Sequence, residues 1–316
     1  DLVRYELGHA LLAERRQPEA ADAFEQLATK HADSPKAAEA WFHVGQHHEK
    51  SAADKDDAEK ATALAAAAKA YGDGLKTVEN PTLKEKLAYK LADMQFQRQQ
   101  FKEATETLKQ QLAEFPAGDL AGPARYLAGE SAFQEGDFAA ALPLFEQVVK
   151  DNVQDYIDRS LYRAGECAGS LKNWPASQKN YEQLIQNFPK FQELNDARYG
   201  LAFAWQNQNQ CDKAIQIYEQ VAEQSTGESG AKSRFMLGEI AFAKKEYDDA
   251  VFHFGAVVSG FGYKHWQGEA QYEMARCLVE LGKKPQAIAA FKKMQTDFPE
   301  HEKAGDAARL LAELQK

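Results

Sequence analysis

The sequence predicts an all-α fold, an α-solenoid of about eight stacked helical hairpins. Three observations support this prediction. An aromatic residue followed three positions later by Gly or Ala returns at nearly constant spacing, and in seven of the eight repeats a second large apolar residue lies nineteen positions after it. Helix-favouring residues, chiefly Ala, Leu, Glu, Gln and Lys, dominate the 316-residue chain. Self-similarity at a period of roughly 20–50 residues is typical of stacked-repeat proteins.

The first helix of each repeat carries the leading aromatic and the small residue. Successive aromatics are 37, 47, 37, 36, 37, 36 and 37 residues apart. Glycine inside a helix costs about 1 kcal/mol relative to alanine, so glycines at one phase indicate close helix packing. We therefore expect this small residue to face a small residue of the second helix. The pairs are Tyr5/Gly8, Phe42/Gly45, Tyr89/Ala92, Tyr126/Gly129, Tyr162/Gly165, Tyr199/Ala202, Phe235/Gly238 and Tyr272/Ala275.

The second helix carries the later apolar residue, with a small residue four positions before it. Proline at the first turn of this helix in three repeats supports the same register, because the missing N–H is not needed there. These prolines are Pro18, Pro175 and Pro285. The apolar residues are Phe24, Tyr71, Leu108, Phe145, Tyr181, Tyr218, Phe254 and Phe291, and the small residues are Ala20, Ala67, Ala104, Ala141, Ser177, Ala214, Ala250 and Ala287.

The repeats are predicted to start near residues 2, 39, 86, 123, 159, 196, 232 and 269, within one domain over 1–316. The 47-residue gap implies an insertion at about 50–60, and its Ala-rich sequence predicts a lengthened, projecting hairpin. Residues 304–316 predict a capping helix. Turns between the two helices of a repeat are predicted at Gln99–Gln100, Gly136–Asp137, Lys172–Asn173, Asn209–Gln210, Lys245–Glu246 and Gly282–Lys283.

The pattern resembles the tetratricopeptide repeat, whose motif is W-x2-L-G-x2-Y, then A-x3-F, then P. Trp41, Val44 and Gly45 match its first block, and Ala287, Phe291 and Pro299 match the later block. The resemblance implies a right-handed superhelix. Sel1-like repeats share the 36-residue period but fit the later block less well. Repeats of 36–37 residues exceed the family's length of about 34. Such long connectors are similar to those of bacterial cell-envelope members of the Tol–Pal-associated and outer-membrane assembly types.

Composition excludes some function classes. A net charge of −10 is unfavourable for a nucleic-acid binder, which needs basic surface stripes. No apolar run approaches the length of about 18 residues that a membrane span requires. Three cysteines form no spaced framework, and Cys167 and Cys277 fit buried positions in first helices. The sequence opens at Asp1 without Met, so we expect that upstream residues have been removed.

No catalytic or cofactor motif is present, so we predict neither an enzyme nor a cofactor. His43 and His47 are spaced to share a helix face, but no third ligand can be identified and no metal is predicted. The connector 259–269 holds Phe261, Tyr263, His265 and Trp266. Exposed aromatic clusters can anchor partners. Because apolar residues recur at the phase of Trp266, packing against the preceding helices is the favoured interpretation.

The tetratricopeptide resemblance implies that the leading aromatic and the residue four positions later border a concave groove. Four of these later residues are acidic, which favours a basic or amphipathic partner and opposes the basic clamp of co-chaperone members. A solvated charge row with core aromatics is the competing interpretation. Reversing Glu130 and Glu166 to Lys is expected to abolish binding without unfolding. The predicted groove residues are Tyr89, Asp93, Tyr126, Glu130, Tyr162, Glu166, Tyr199, Phe235 and Glu239.

The sequence thus predicts a non-enzymatic scaffold or adaptor that binds a partner peptide or helix. The bacterial cell envelope, and the periplasm in particular, is the preferred location by resemblance, with the cytoplasm as the alternative. A competing hypothesis is a substrate- or partner-presenting segment of a larger enzyme whose catalytic domain lies outside these residues. A third is self-association by end-to-end stacking.

Overall fold

A computed structural model of the chain describes residues 1–53 and 55–316. The chain divides into two compact units, the N-terminal unit Asp1–Cys167 and the C-terminal unit Ala168–Lys316. Regular structure in the described residues is entirely helical, as the sequence predicts. The single continuous domain, and the right-handed superhelix, stay predictions.

The N-terminal unit contains four complete helical hairpins and most of a ninth α-helix, which begins here and ends in the C-terminal unit. A short 3-10 turn at Gln154–Tyr156 precedes that helix. The helices are α1 (Leu2–Ala13), α2 (Gln17–Lys30), α3 (Ala37–Ser51), α4 (Asp57–Leu75), α5 (Pro81–Gln97), α6 (Phe101–Glu114), α7 (Ala121–Gln134), α8 (Phe138–Lys150) and α9 (Ile157–Ser170).

The C-terminal unit contains the second helix of the fifth repeat, three complete hairpins and the capping helix. Its helices are α10 (Trp174–Asn187), α11 (Leu194–Asn207), α12 (Cys211–Gln224), α13 (Glu228–Ala243), α14 (Tyr247–Gly260), α15 (Lys264–Glu280), α16 (Lys284–Asp297) and α17 (Ala304–Leu314). First helices begin at the predicted repeat starts or two to five residues before them. Consecutive helices pack together from α1 to α8 and from α10 to α17. Within each unit first helices of neighbouring repeats also touch, as α5 does with α7 and α13 with α15.

Four glycines three residues after a leading aromatic make room for an aromatic ring, which corrects the expectation that they face the small residue of the second helix. They are Gly8, Gly45, Gly129 and Gly238. A Cβ added at Gly8 would lie 2.6 Å from the ring of Phe24, and Gly45 meets Tyr71 in the same way. The rings are fully buried, as are the alanines four residues before them. The small residue therefore sets how closely the ring of the partner helix can approach.

The turns inside the hairpins lie where the sequence predicts them. Each of the six predicted turns has a positive φ at its first residue. At Gly136 and Gly282, where φ is 77° and 69°, glycine adopts this conformation without a steric penalty. Four of the predicted turns use a non-glycine residue instead, Lys172 and Lys245 among them. The left-handed residue ends the first helix, as is common at helix C-termini.

The second hairpin has a long second helix, whereas the insertion at about 50–60 and the projection of the hairpin stay predictions. α4 has 19 residues against 14 in α6, and its first residues, from Asp57 to Thr62, are exposed. The Asp56 side chain accepts hydrogen bonds from the backbone N–H groups of Ala58 and Glu59, which begins the helix. Asp54, within the predicted insertion, lies outside the described residues. The capping helix is also confirmed as α17.

Candidate functional site

The first-helix row is the set of leading aromatics together with the residues four positions after them. Its aromatic members pack on the second helix of their own repeat, with ring centroids 5.9 Å apart for Tyr126 and Phe145. The same distance is 5.8 Å for Tyr199 and Tyr218 and 5.2 Å for Phe235 and Phe254. These rings therefore stabilise the hairpins. A partner could contact only the exposed edge of each ring.

Most residues of the row are half-buried rather than free in solvent. This holds for Tyr89, Asp93, Tyr126, Tyr162, Glu166, Tyr199 and Glu239. Glu130 and Phe235 are buried, with 8% of the surface of each accessible. A half-buried carboxylate loses part of its hydration, so its charge must be compensated by a neighbour or by a ligand.

In the N-terminal unit, Glu130 and Glu166 share one cation. Arg163 donates from Nε to Glu130 Oε1 at 2.9 Å and from Nη1 to Glu166 Oε2 at 2.9 Å. Its guanidinium also lies 4.4 Å from the ring centroid of Phe133. We call Glu130, Arg163 and Glu166 the N-terminal charge cluster. Burial raises the pKa of Glu166, and hydrogen bonding to Arg163 opposes that rise.

Asp93 lies at the equivalent position one repeat earlier and lacks such a partner. Its carboxylate accepts from Gln97 Nε2 at 3.2 Å. The nearby Lys90 instead donates to Glu49 at 2.6 Å, and the hydroxyl of Tyr71 donates to the other oxygen of Glu49 at 2.6 Å. Burial raises the pKa of Asp93, the hydrogen bond from Gln97 and the charge of Lys90 oppose that rise, and the Glu49 carboxylate adds to it. The negative charge of Asp93 is therefore poorly compensated.

The C-terminal unit arranges the same three positions differently. Arg276 donates to both oxygens of Glu273, at 3.0 and 2.7 Å, and lies 5.0 Å from the ring centroid of Phe242. Glu239 forms no ion pair with another described residue. Burial raises the pKa of Glu239, the Glu273 carboxylate raises it further, and Arg276 opposes them. We call Glu239, Glu273 and Arg276 the C-terminal charge cluster.

Sequence reasoning missed the residue that follows the leading aromatic. Lys90, Arg163 and Glu273 occupy this position, and each lies three residues before a charged row residue of its own helix. Arg163 and Glu273 also lie near the row residue of the preceding repeat, Glu130 and Glu239 respectively. The spacing was visible in the sequence as pairs three residues apart, which share a helix face. Glu130 and Glu166 therefore share one bound cation, whereas Asp93 and Glu239 form no salt bridge with a described residue.

In the aromatic connector, Trp266 packs against the preceding repeat, which agrees with the favoured interpretation. The ring centroid of Trp266 lies 5.4 Å from that of Phe235, and its Nε1 donates to Glu228 at 3.1 Å. Tyr156 packs on Tyr126 in the equivalent way, with centroids 4.7 Å apart. Both aromatics thus cover the leading aromatic of the preceding repeat. The predicted burial of Cys167 and Cys277 is confirmed as well.

Solved structures of repeat proteins are similar to this chain in fold. A tetratricopeptide repeat protein from Parabacteroides merdae matches at 14% identity over 86% of this chain and 99% of its own, with a TM-score of 0.53. The C-terminal part of a TPR repeat-containing protein from Cytophaga hutchinsonii matches at 16% identity over 96% and 98%, with a TM-score of 0.50. YrrB, described as a TPR protein with an unusual peptide-binding site, matches at 14% identity over 64% and 92%, with a TM-score of 0.50.

No curated protein sequence matches the chain significantly. Among the described residues, no helix combines the length and the apolar character needed to cross a bilayer. Two family models, both described as tetratricopeptide repeat, match the sequence. One covers residues 5–74, 89–157 and 199–257, and the other covers 159–190 and 269–301. Together they match well over half of the sequence, so the chain belongs to the tetratricopeptide repeat family.

Proposed function

We propose that the chain is a non-enzymatic scaffold that binds a peptide or helix of a partner protein along the first-helix row. The tetratricopeptide repeat is in general a protein-interaction fold. The observation that carries the proposal concerns two half-buried carboxylates, Asp93 in the N-terminal unit and Glu239 in the C-terminal unit. Neither forms a salt bridge with another described residue, and burial raises the pKa of both against the opposing charges of Lys90 and Arg276. A basic side chain of a partner would compensate these carboxylates.

The surroundings of these carboxylates support a basic and amphipathic partner. Tyr89 lies one turn before Asp93, and Phe235 lies one turn before Glu239. An Arg or Lys bound there would meet a carboxylate and an aromatic edge together, which favours cations with long apolar stems. A basic partner also suits the net charge of −10, which disfavours nucleic acid.

Packing within each unit supports the first helices as the binding side. First helices of neighbouring repeats touch, in both units. The side on which successive repeats approach each other most closely is the inner side of a curved stack, where a peptide contacts several repeats at once. The peptide-binding site named for YrrB supports this role for the fold as well.

The proposed setting is the bacterial cell envelope, in the periplasm. Repeats of 36 to 37 residues, with their long connectors, support it. Fractionation of cells that express the complete gene, with immunodetection of the protein in periplasmic and cytoplasmic fractions, tests this setting. Recovery in the cytoplasmic fraction alone would contradict it.

The binding mode is tested with peptides selected from a random library on the intact chain. The affinity of the selected peptides is then measured by calorimetry for wild-type protein and for Asp93→Asn and Glu239→Gln. Glu146→Gln and Glu223→Gln, at exposed positions on second helices, are the matched controls. We expect enrichment of Lys or Arg and a loss of about tenfold in affinity for at least one row variant. Equal affinities in row and control variants would overturn the proposal.

The expected Glu130 and Glu166 reversal is replaced in this design for a structural reason. Glu130 is buried and bound to Arg163, so a lysine there would place two cations together. That variant would lose stability, and a loss of binding could not then be attributed to the groove.

A further inference from the structure

Donor groups beside His43 come from its own helix, α3, and from the preceding first helix, α1. His9 of α1 and Glu39 and His43 of α3 each present one donor atom, and these atoms lie within 4.8 Å of one another. The ring centroids of His9 and His43 are 5.1 Å apart. Two imidazoles and one carboxylate form a donor set that zinc-class divalent cations prefer.

An unsatisfied nitrogen lies in this cluster. His9 Nε2 is buried and has no hydrogen-bond partner among the described residues. Buried polar atoms are normally paired, so this nitrogen, in a residue beside a second imidazole and a carboxylate, is available to an external ligand. The ring of His9 is held by Tyr5 and Phe24, at centroid distances of 4.5 and 5.3 Å.

A second histidine pair shows the contrast. His265 and His301 of the C-terminal unit stack with centroids 5.4 Å apart. There, His301 Nε2 lies 3.2 Å from the backbone oxygen of His265, and its Nδ1 accepts from the backbone N–H of Lys303 at 3.2 Å. Both nitrogens of His301 are occupied by protein groups, whereas His9 retains a buried nitrogen with no such partner.

The cluster is accessible from the side of Glu39 and His43. Glu39 and His43 line a cleft of about 430 Å³ together with Lys36 and Asn80. Lys36 donates to Glu39 at 3.2 Å, and the half-exposed Lys36 can withdraw into solvent when a cation takes its place. Tetrahedral donors around Zn²⁺ lie about 3.3 Å apart, so side-chain rotation would have to draw the three donors slightly closer.

We propose that His9, Glu39 and His43 bind one zinc-class divalent cation, with the fourth position open to the cleft. The bound cation would join α1 to α3 and so tie the first repeat to the second. The face of α1 that carries Leu2, Val3 and Leu7 is exposed, so α1 is the helix that gains most from this additional link.

The test uses the intact chain after treatment with EDTA. Co²⁺ is titrated and followed by visible absorption, and Zn²⁺ is then added in competition. We expect one equivalent of tightly bound metal and a melting temperature that rises by about 2 °C or more with excess Zn²⁺. Variants His9→Gln, Glu39→Gln and His43→Gln should each weaken binding by about tenfold or more.

His47→Gln is the matched control, because His47 lies one turn from His43 on the same helix but outside the cluster. It should bind metal as the wild type does. Far-UV circular dichroism verifies the fold of each variant, and the nearly isosteric Glu39→Gln keeps the test valid if a histidine variant unfolds. Absence of stoichiometric binding, or equal binding by Glu39→Gln and wild type, would overturn the proposal.

Discussion

The two charge clusters occupy the same three repeat positions but order their charges differently. The N-terminal cluster reads Glu130, Arg163, Glu166, with the cation between two carboxylates. The C-terminal cluster reads Glu239, Glu273, Arg276, with two carboxylates adjacent. In both, the guanidinium lies over the ring seven residues after the leading aromatic of the preceding repeat, Phe133 or Phe242.

The cation lies over the corresponding ring in both clusters, although a different repeat position supplies it. Arg163 reaches that place from the position after the leading aromatic, and Arg276 reaches it from three residues later. The difference decides which carboxylate lacks a partner. Glu130 is paired directly, whereas Glu239 faces another carboxylate and is left to attract a cation from outside.

Removal of the shared cation should have the largest effect. Arg163→Met leaves Glu130 and Glu166 close together without a partner, and only 10% of the Glu130 side chain is accessible. We expect a loss of about 3 kcal/mol in the free energy of unfolding, measured by urea denaturation. The stability should partly recover at acidic pH as the carboxyls protonate. An unchanged denaturation midpoint would show that the pair contributes nothing.

Packing, unlike charge, should be equal in the two units. A Cβ at Gly129 would lie 2.8 Å from the Phe145 ring, and one at Gly238 would lie 2.7 Å from the Phe254 ring. Gly129→Ala and Gly238→Ala should therefore each cost about 2 kcal/mol through overpacking. Urea denaturation measures both. If the two losses of stability differ severalfold, the glycine–ring packing is not equivalent in the two units.

Exchange of two charges should convert one arrangement into the other. The double variant Glu273→Arg, Arg276→Glu gives the C-terminal cluster the charge order of the N-terminal one. We expect a gain of about 1 kcal/mol in stability, because Glu239 acquires a direct cation partner. Either single variant should be less stable than the double variant. A destabilised double variant would show that the two sites are not equivalent.

The smallest expected effect concerns the pH dependence of stability. Burial and Glu273 raise the pKa of Glu239 above its ordinary value of 4.5. An acid with a raised folded-state pKa favours folding when protonated, so its contribution is lost as pH rises through that pKa. Glu239→Gln should raise stability at pH 7 by less than about 1 kcal/mol and reduce the decline above pH 4.5. Thermal melts from pH 4 to 8, with Glu223→Gln as control, measure it. An unaltered profile would contradict the burial of this charge.

The fold could be predicted from the sequence because every repeat solves the same packing problem. A glycine, a ring and a turn recur at fixed phases, and each recurrence repeats the same information. The predicted packing partner of the glycine was nevertheless wrong. The spacing of residues in the sequence places Gly45 at the helix crossing, but it does not show whether Ala67 or Tyr71 is its neighbour. That choice depends on the direction of the side chains, which periodicity does not contain.

The site could be predicted only in part. The repeat pattern predicted which positions belong to the first-helix row. Whether the charge of an acidic row residue is compensated depends on neighbouring charged residues, which do not recur at a fixed phase. Arg163 and Glu273 stand at one position with opposite sign. His9 and His43 are separated by 34 residues, and their contact follows from the stacking of α1 beside α3 rather than from a motif. Side-chain contacts between repeats are therefore the feature of the site that is hardest to predict from sequence patterns.

A double-mutant cycle on a bound peptide tests the central claim most directly. A basic residue of a selected peptide is changed to Gln, and its binding is measured by calorimetry to wild type, Glu239→Gln and Glu166→Gln. The account predicts a coupling energy of about 1 kcal/mol or more with Glu239 and almost none with Glu166, whose charge Arg163 already compensates. Equal coupling with both glutamates, or none with Glu239 for any basic residue of the peptide, would contradict it.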